Sequence, residues 1–434
     1  MSMPRRRWGI WLAVTLWLMP LLAPVQPARG AAPPAKEPAS EGLASDEALA
    51  PAPQGMITAG AAEEPKEVAA KGPRGMALCL SGGGYRAMLF HVGMLWRLNE
   101  LGYLPKLDRI SSVSGGSITA GALAVAWSGL RFDARGVATN FNEQFVTPVL
   151  RMADTNVDVI AGLIGFIPGL SASCHVEAEY RKHLFGHRTL QDLPDRPEFV
   201  FDATNQQSGV LWRFLKRYMA DYRVGMIEHP RVELAVAVAA SSAFPPVLSP
   251  VRLKLKESDF VPHSGKDLQR PPYTTDVFLD DGGVYDNLGL EPVWKDYETI
   301  LVSDAGQPFG PDPKPTAEKV LQTLRVLNVI QSQVRALRTR TLVGDYFKTG
   351  ARKGAYWGIA TKIDKFKVPG ALKCPPEKTA LLASYPTRLA KVPPAIQQRL
   401  INWGYAICDA AMRAFVEKTA PPPAGFPYPA QGVG

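Results

Sequence analysis

Met76-Ala77-Leu78-Cys79-Leu80-Ser81-Gly82-Gly83-Gly84-Tyr85-Arg86 is the stretch on which the fold turns. Five apolar residues make a run fit for burial on both faces, and three consecutive glycines make a turn. A helical pattern follows over 85–101, with Met88, Leu89, Val92, Leu95 and Leu98 on one side. The same order comes again: 109–113 reads as a second buried strand and 117–127 as an Ala-rich helix. Strand, helix, strand, helix implies parallel pairing. The expected fold class is therefore α/β, a mainly parallel central sheet covered by helices on both faces, with a helical C-terminal region. Further strands are expected at 198–201, 277–279 and 299–302, and helices at 316–341 and 394–415.

The glycine turn admits two readings. A strand, then Gly82-Gly83-Gly84, then a helix fits both a dinucleotide fingerprint and an anion-stabilising loop, because unpaired N–H groups at a helix start attract a phosphate and an oxyanion alike. The second strand separates them. Nucleotide binding asks for an acid at its end to take the ribose hydroxyls, whereas this strand ends in Ser111-Ser112-Val113-Ser114-Gly115-Gly116-Ser117. A serine between small residues at a strand-to-helix turn is the setting of a nucleophile elbow, with the following N–H aimed at a developing oxyanion.

A serine needs a base. None of the six histidines stands at a strand end: His91 is on the first helix, His175, His183 and His187 are in a basic insertion, and His229 and His263 adjoin prolines. The better candidate is Asp281 in Phe278-Leu279-Asp280-Asp281-Gly282-Gly283, where an apolar strand ends in acid and glycines allow close approach. Asp280 is the next choice, and a turn aspartate capping the loop toward Asn287 is the plainer alternative.

Together these pieces resemble the patatin-like phospholipase family, on Gly82-Gly83-Gly84-Tyr85-Arg86, Ser112-Val113-Ser114-Gly115-Gly116, Asp281-Gly282-Gly283 and the segment Ala239-Ala240-Ser241-Ser242-Ala243-Phe244-Pro245. The resemblance implies a three-layer fold and a catalytic dyad of Ser114 and Asp281. It also implies an oxyanion hole from Gly82, Gly83, Gly84 and Gly115, with Arg86 orienting the loop or attracting a phosphate head group. The substrate would be a phospholipid or other lipid ester at a membrane surface, with no metal or organic cofactor and no nucleic acid. His91 fits the family's first helix, where it is not a base. Ser112 departs from the pattern by replacing the elbow's first glycine. An acyltransferase using the same dyad, or a catalytically silent membrane-binding module, are the alternatives.

Outward from this core, residues 1–30 read as an export address: Arg5, Arg6 and Arg7, then an apolar stretch over 8–22, then Ala28-Arg29-Gly30 as a cleavage site. Cleavage predicts a periplasmic, secreted or peripherally membrane-associated protein. Retention would make the segment an inner-membrane anchor. Residues 31–75 form a disordered Ala/Pro-rich linker, 76–305 the catalytic core with an insertion around 130–195, 306–418 a helical extension, and 419–434 a disordered tail. The apolar stretch 146–170 reads as a buried helix, with a lid or membrane-docking segment as the alternative.

With 46% hydrophobic residues over 434, the chain can bury a sizeable core. Removing Arg5, Arg6, Arg7 and Arg29 with the address takes the net charge from +9 to +5, a mild excess that suits an anionic lipid surface or ordinary solvation. Among the cysteines, Cys79 sits in a strand and is expected as a buried free thiol, while Cys374 and Cys408 are candidates to pair. None has the spacing of a metal site.

Overall fold

The computed structural model describes residues 75–158 and 172–434. The expected export address lies outside them, as do Ile160, Leu163, Ile164 and Phe166 of the apolar stretch. The part of that stretch that is described is core: Val146, Val149, Met152 and Val157 are fully buried.

Four of the five strands in the parallel half of the sheet form where the sequence predicts them; the fifth, at 353–358, is not among those expected. Strand β1 is Met76–Leu80, helix α1 Gly84–Glu100, β2 Arg109–Val113 and α2 Gly115–Trp127. The insertion supplies α3, Thr147–Ala153, and α4, Ala172–Tyr180. Then come β3 Glu198–Asn205, β4 Val210–Phe214, β5 Tyr218–Asp221, β6 Gly225–Glu228 and α5 Leu234–Ser241. Strands β7 Val251–Lys254 and β8 Asp276–Asp281 lead to the short α6, Gly283–Asp286, and to β9 Thr299–Asp304. The C-terminal region adds α7 Lys319–Gly344, β10 Lys353–Gly358, α8 Pro376–Ala383 and α9 Pro394–Phe415. No helix of the described residues is long and apolar enough to cross a membrane.

The sheet runs β10-β9-β1-β2-β3-β4-β5-β6. Its first five strands are parallel, and the antiparallel strands β4 to β8 make it mixed. Alternation along β1 divides the core. Ala77 and Cys79 pack with Ile300, Val302 and Leu342 of α7, while Leu78 and Leu80 pack in the larger cluster with α1. One detail of register decides the site. Residues 201–205 of β3 pair with β4 on one edge, so the other edge is shared end to end: Val113 of β2 lies opposite Asp202, and Asp281 of β8 opposite Ala203. Where β2 leaves the sheet, β8 takes its lane.

Helix α9 lies across α1 at a distance only glycine permits. A Cβ on Gly93 would stand 1.8 Å from the Ile401 carbonyl oxygen, and one on Gly404 1.9 Å from that of Phe90. Segment 419–434 departs from the expectation of a disordered tail: Asn402 donates to the carbonyls of Tyr428 and Gly432 at 2.8 and 2.7 Å, and Val433 is buried. Cys374 and Cys408 are separate buried thiols rather than a pair.

Candidate active site

Ser114 connects β2 to α2 with φ 52° and ψ −120°, a left-handed conformation that a residue with a side chain adopts only where its surroundings hold it, at a cost of about 1–3 kcal/mol. Hydroxyl groups do the holding. The Ser114 N–H donates to Ser241 Oγ at 3.0 Å, and the Ser241 hydroxyl in turn to Ser117 Oγ at 2.8 Å. Ser117 donates to Ser112 Oγ at 3.0 Å, and Ser112 to the Val200 carbonyl at 2.9 Å. The departure at Ser112 thus ends a chain that fixes the elbow to β3.

Ser241 comes from α5, and the same segment fixes the acid. The Asp281 N–H donates to the Ala243 carbonyl at 2.9 Å and the Gly282 N–H to that of Ser241 at 3.1 Å. With the shared lane on β3, this brings Asp281 to the elbow. Its Oδ1 accepts from the Gly283 N–H at 2.7 Å, as the turn-capping alternative required, while Oδ2 is buried without an aligned partner. Desolvation raises the Asp281 carboxyl to about 7, and the nearby Ser114 hydroxyl and the Gly283 N–H offset only part of that rise. Asp280 faces the other way, as the pleat requires, and accepts from Gln206 Nε2 at 2.6 Å.

The glycine loop lies against the elbow. A Cβ on Gly115 would sit 2.2 Å from the Gly84 carbonyl oxygen, and one on Gly82 3.0 Å from Ser114 Cβ. Gly82, expected to lend an oxyanion donor, does not: its N–H donates to the Asn287 carbonyl at 3.2 Å, so its part is to leave room for the serine. The N–H groups of Gly83, Gly84 and Gly115, at the starts of α1 and α2, donate to no backbone acceptor among the described residues.

Arg86 is fully buried, which excludes the head-group role and leaves that of orienting the loop. It donates to the Ala305 carbonyl from Nε and Nη2 at 3.2 and 3.0 Å, to Thr387 Oγ1 at 2.7 Å and to the Tyr385 carbonyl. Burial lowers its guanidinium to about 10, which leaves it charged at neutral pH. The strap 385–389 also accepts the Tyr85 N–H at the Arg388 carbonyl, 2.9 Å away. There a Cβ on Gly84, whose φ is +58°, would come within 2.6 Å of the strap's backbone. His91 is a brace: its Nε2 meets the Ser81 carbonyl at 2.9 Å and its Nδ1 the Ser303 hydroxyl at 3.0 Å, and burial lowers it to about 4. It is neutral at physiological pH and far too weak a base for this chemistry.

Two participants were invisible in the sequence. Ser241 sits in a recognised segment, but nothing local says which of its serines reaches Ser114. The strap carries no motif and lies 302 residues after Arg86 at Arg388, in a loop joining α8 to α9.

A family model described as patatin-like phospholipase matches residues 78–294. No curated protein matches the chain. Among solved structures, it is similar to VipD from Legionella pneumophila, at 16% identity and TM-score 0.31 over 78% of this chain and 66% of that one. It is also similar to human GIVD cytosolic phospholipase A2, at 13% identity and TM-score 0.39 over 78% and 58%. The same human enzyme in complex with methyl gamma-linolenyl fluorophosphonate and terbium chloride gives 13% identity and TM-score 0.45 over 78% and 57%. The chain thus spans between 57% and 66% of the length of these structures.

Proposed function

Because this chain belongs to the patatin-like phospholipase family, we propose that it hydrolyses fatty-acyl esters of lipids at a membrane surface through a dyad of Ser114 and Asp281. The observation that carries this reading is the free, buried Oδ2 of Asp281 beside a serine held in an elbow conformation. A carboxylate whose proton affinity is raised to about 7 is a far better base than an ordinary aspartate.

Asp281 accepts the hydroxyl proton as Ser114 Oγ bonds to the ester carbonyl carbon. The carbonyl oxygen becomes an oxyanion that the N–H groups of Gly83, Gly84 and Gly115 receive. The C–O bond to the alcohol breaks, the alcohol leaves with the proton from Asp281, and Ser114 carries the acyl group. Water, giving its proton to Asp281, attacks that acyl-serine; the fatty acid departs and the proton returns to Ser114. Phe244 and Val284, 45% and 41% exposed, follow Ala243 and Gly283, the residues hydrogen-bonded to the Asp281 N–H and Oδ1, and suit an apolar chain. Export, expected from residues 1–30, belongs to the same proposal.

The test is labelling by a fluorophosphonate together with fatty-acid release from phospholipid vesicles. Ser114→Ala is expected to abolish both, and labelling that persists at full strength in that variant would overturn the assignment.

A further inference from the structure

Helix α7 is fastened inward by its arginines. Arg335 reaches Asp304 at 3.2 Å and the Gln307 carbonyl at 3.1 Å, and Arg338 reaches Glu291 at 2.9 Å and Asp286 at 3.6 Å. Leu342, near its end, is buried against the sheet. The outward side carries large apolar side chains among neutral polar ones such as Gln322, Asn328 and Gln333. Leu321, Val326, Leu327, Val329, Ile330 and Leu337 are between 40% and 56% exposed, six of the eleven most exposed large hydrophobic side chains among the described residues. At 100° per residue Val326, Ile330 and Leu337 share one stripe, with Lys319 in line with it and Arg340 beside it. Between Lys319 and Gly344 there is no acidic residue; of the five cationic ones Arg325, Arg335 and Arg338 pair with acids of this chain, and Lys319 and Arg340 are exposed beside the stripe.

We infer that this face docks on an anionic lipid surface. Scattered exposed apolar residues are normal, but a stripe of them on a helix without a single acid needs a partner both apolar and negative, which a bilayer with anionic head groups is. A second copy of the chain fits poorly, since pairing this face with itself would set cations against cations. The helix also adjoins the site: Asp304, which holds Arg335, immediately precedes Ala305, the acceptor for Arg86, and Asp286 ends α6 just after Asp281. The inference rests on the lipid-ester reading only for its biological purpose, since binding is measurable without turnover.

The experiment uses the full chain carrying Ser114→Ala, sedimented with phosphatidylcholine vesicles with and without phosphatidylglycerol. Preference for the anionic vesicles is expected, and Val326→Asp with Ile330→Asp and Leu337→Asp should weaken apparent affinity by about tenfold or more. Lys319→Gln with Arg340→Gln, both exposed, is the gentler variant and should weaken it by about threefold, more at low salt. A fluorophore at Ile330→Cys in a Cys174→Ser background, quenched by brominated acyl chains, reads this helix apart from residues 1–30. Unchanged binding by both variants, or an unquenched label, would overturn the inference. So would a fall in oligomer mass in the Asp variant with no loss of lipid binding, which would assign the face to a second copy. Vesicle binding through α7 by a Ser114 chain that hydrolyses no lipid ester would instead sink the dyad reading and leave this one standing.

Discussion

Residues 78–294 and the region after them differ in what they contribute. The first carries the family match, the turn at Ser114, the glycine loop and both members of the proposed dyad. The second carries neither member of that dyad, yet it supplies β9 and β10 of the parallel sheet, the helix α9 that covers α1, and the strap that receives Arg86 and the Tyr85 N–H. The proposed chemistry lies within the family match, whereas the glycine loop is held by contacts from more than two hundred residues away. A domain cut at the edge of the family match would keep both members of the proposed dyad and lose two of the five parallel strands, β9 and β10.

Asp281→Asn offers the sharpest break between the two. On a soluble ester it should cost about a thousandfold or more in kcat/KM, while the fold remains intact. In the unsubstituted enzyme kcat/KM should rise with pH through about 7 as Asp281 loses its proton, and that inflection should vanish in the variant. Stability should move the opposite way. With the folded carboxyl raised above its unfolded value, its contribution is fully present below about 4 and is lost as pH rises toward about 7. Melting of Asp281→Asn at pH 8 should therefore occur no lower than that of the unsubstituted chain. A flat pH profile around 7 would refute Asp281 as the base.

Arg86→Met tests the distant half. It leaves the Ala305 and Tyr385 carbonyls and Thr387 without their donor, so stability should fall by about 2–4 kcal/mol and kcat by about ten- to a hundredfold. Loss of stability with unaltered kcat would show that the strap supports the fold but not the oxyanion loop. Ser241→Ala is the smallest of the three. It removes the acceptor of the Ser114 N–H and should lower kcat by about tenfold with KM nearly unchanged, a split that steady-state kinetics reads directly. An unchanged kcat would mean that the elbow holds its conformation without that hydroxyl.

The sequence determined four of the five parallel strands, with α1 and α2, and singled out the proposed elbow serine and acid, because each is written in local terms; β10 carries no such signal. An apolar run bounded by glycines can be little but a buried strand, and small residues around a serine permit a tight turn. It also favoured Asp281 over Asp280, and one step of pleat makes that choice matter. Tertiary structure decided what depends on register and distance. The antiparallel strands β4 to β7 lie in stretches whose periodicity did not single them out, and their order is set by pairing. Gly82 looked like an oxyanion donor until its N–H was found engaged by Asn287. Arg86 looked equally fit for a head group or for the loop, and full burial against Ala305, Tyr385 and Thr387 decided for the loop. Which serine holds the elbow, and how β8 comes to follow β2 along one edge of β3, are facts about partners far apart in the chain. Residue types and spacing state what chemistry a segment can do; only the packed fold states which of its polar groups remain free to do it.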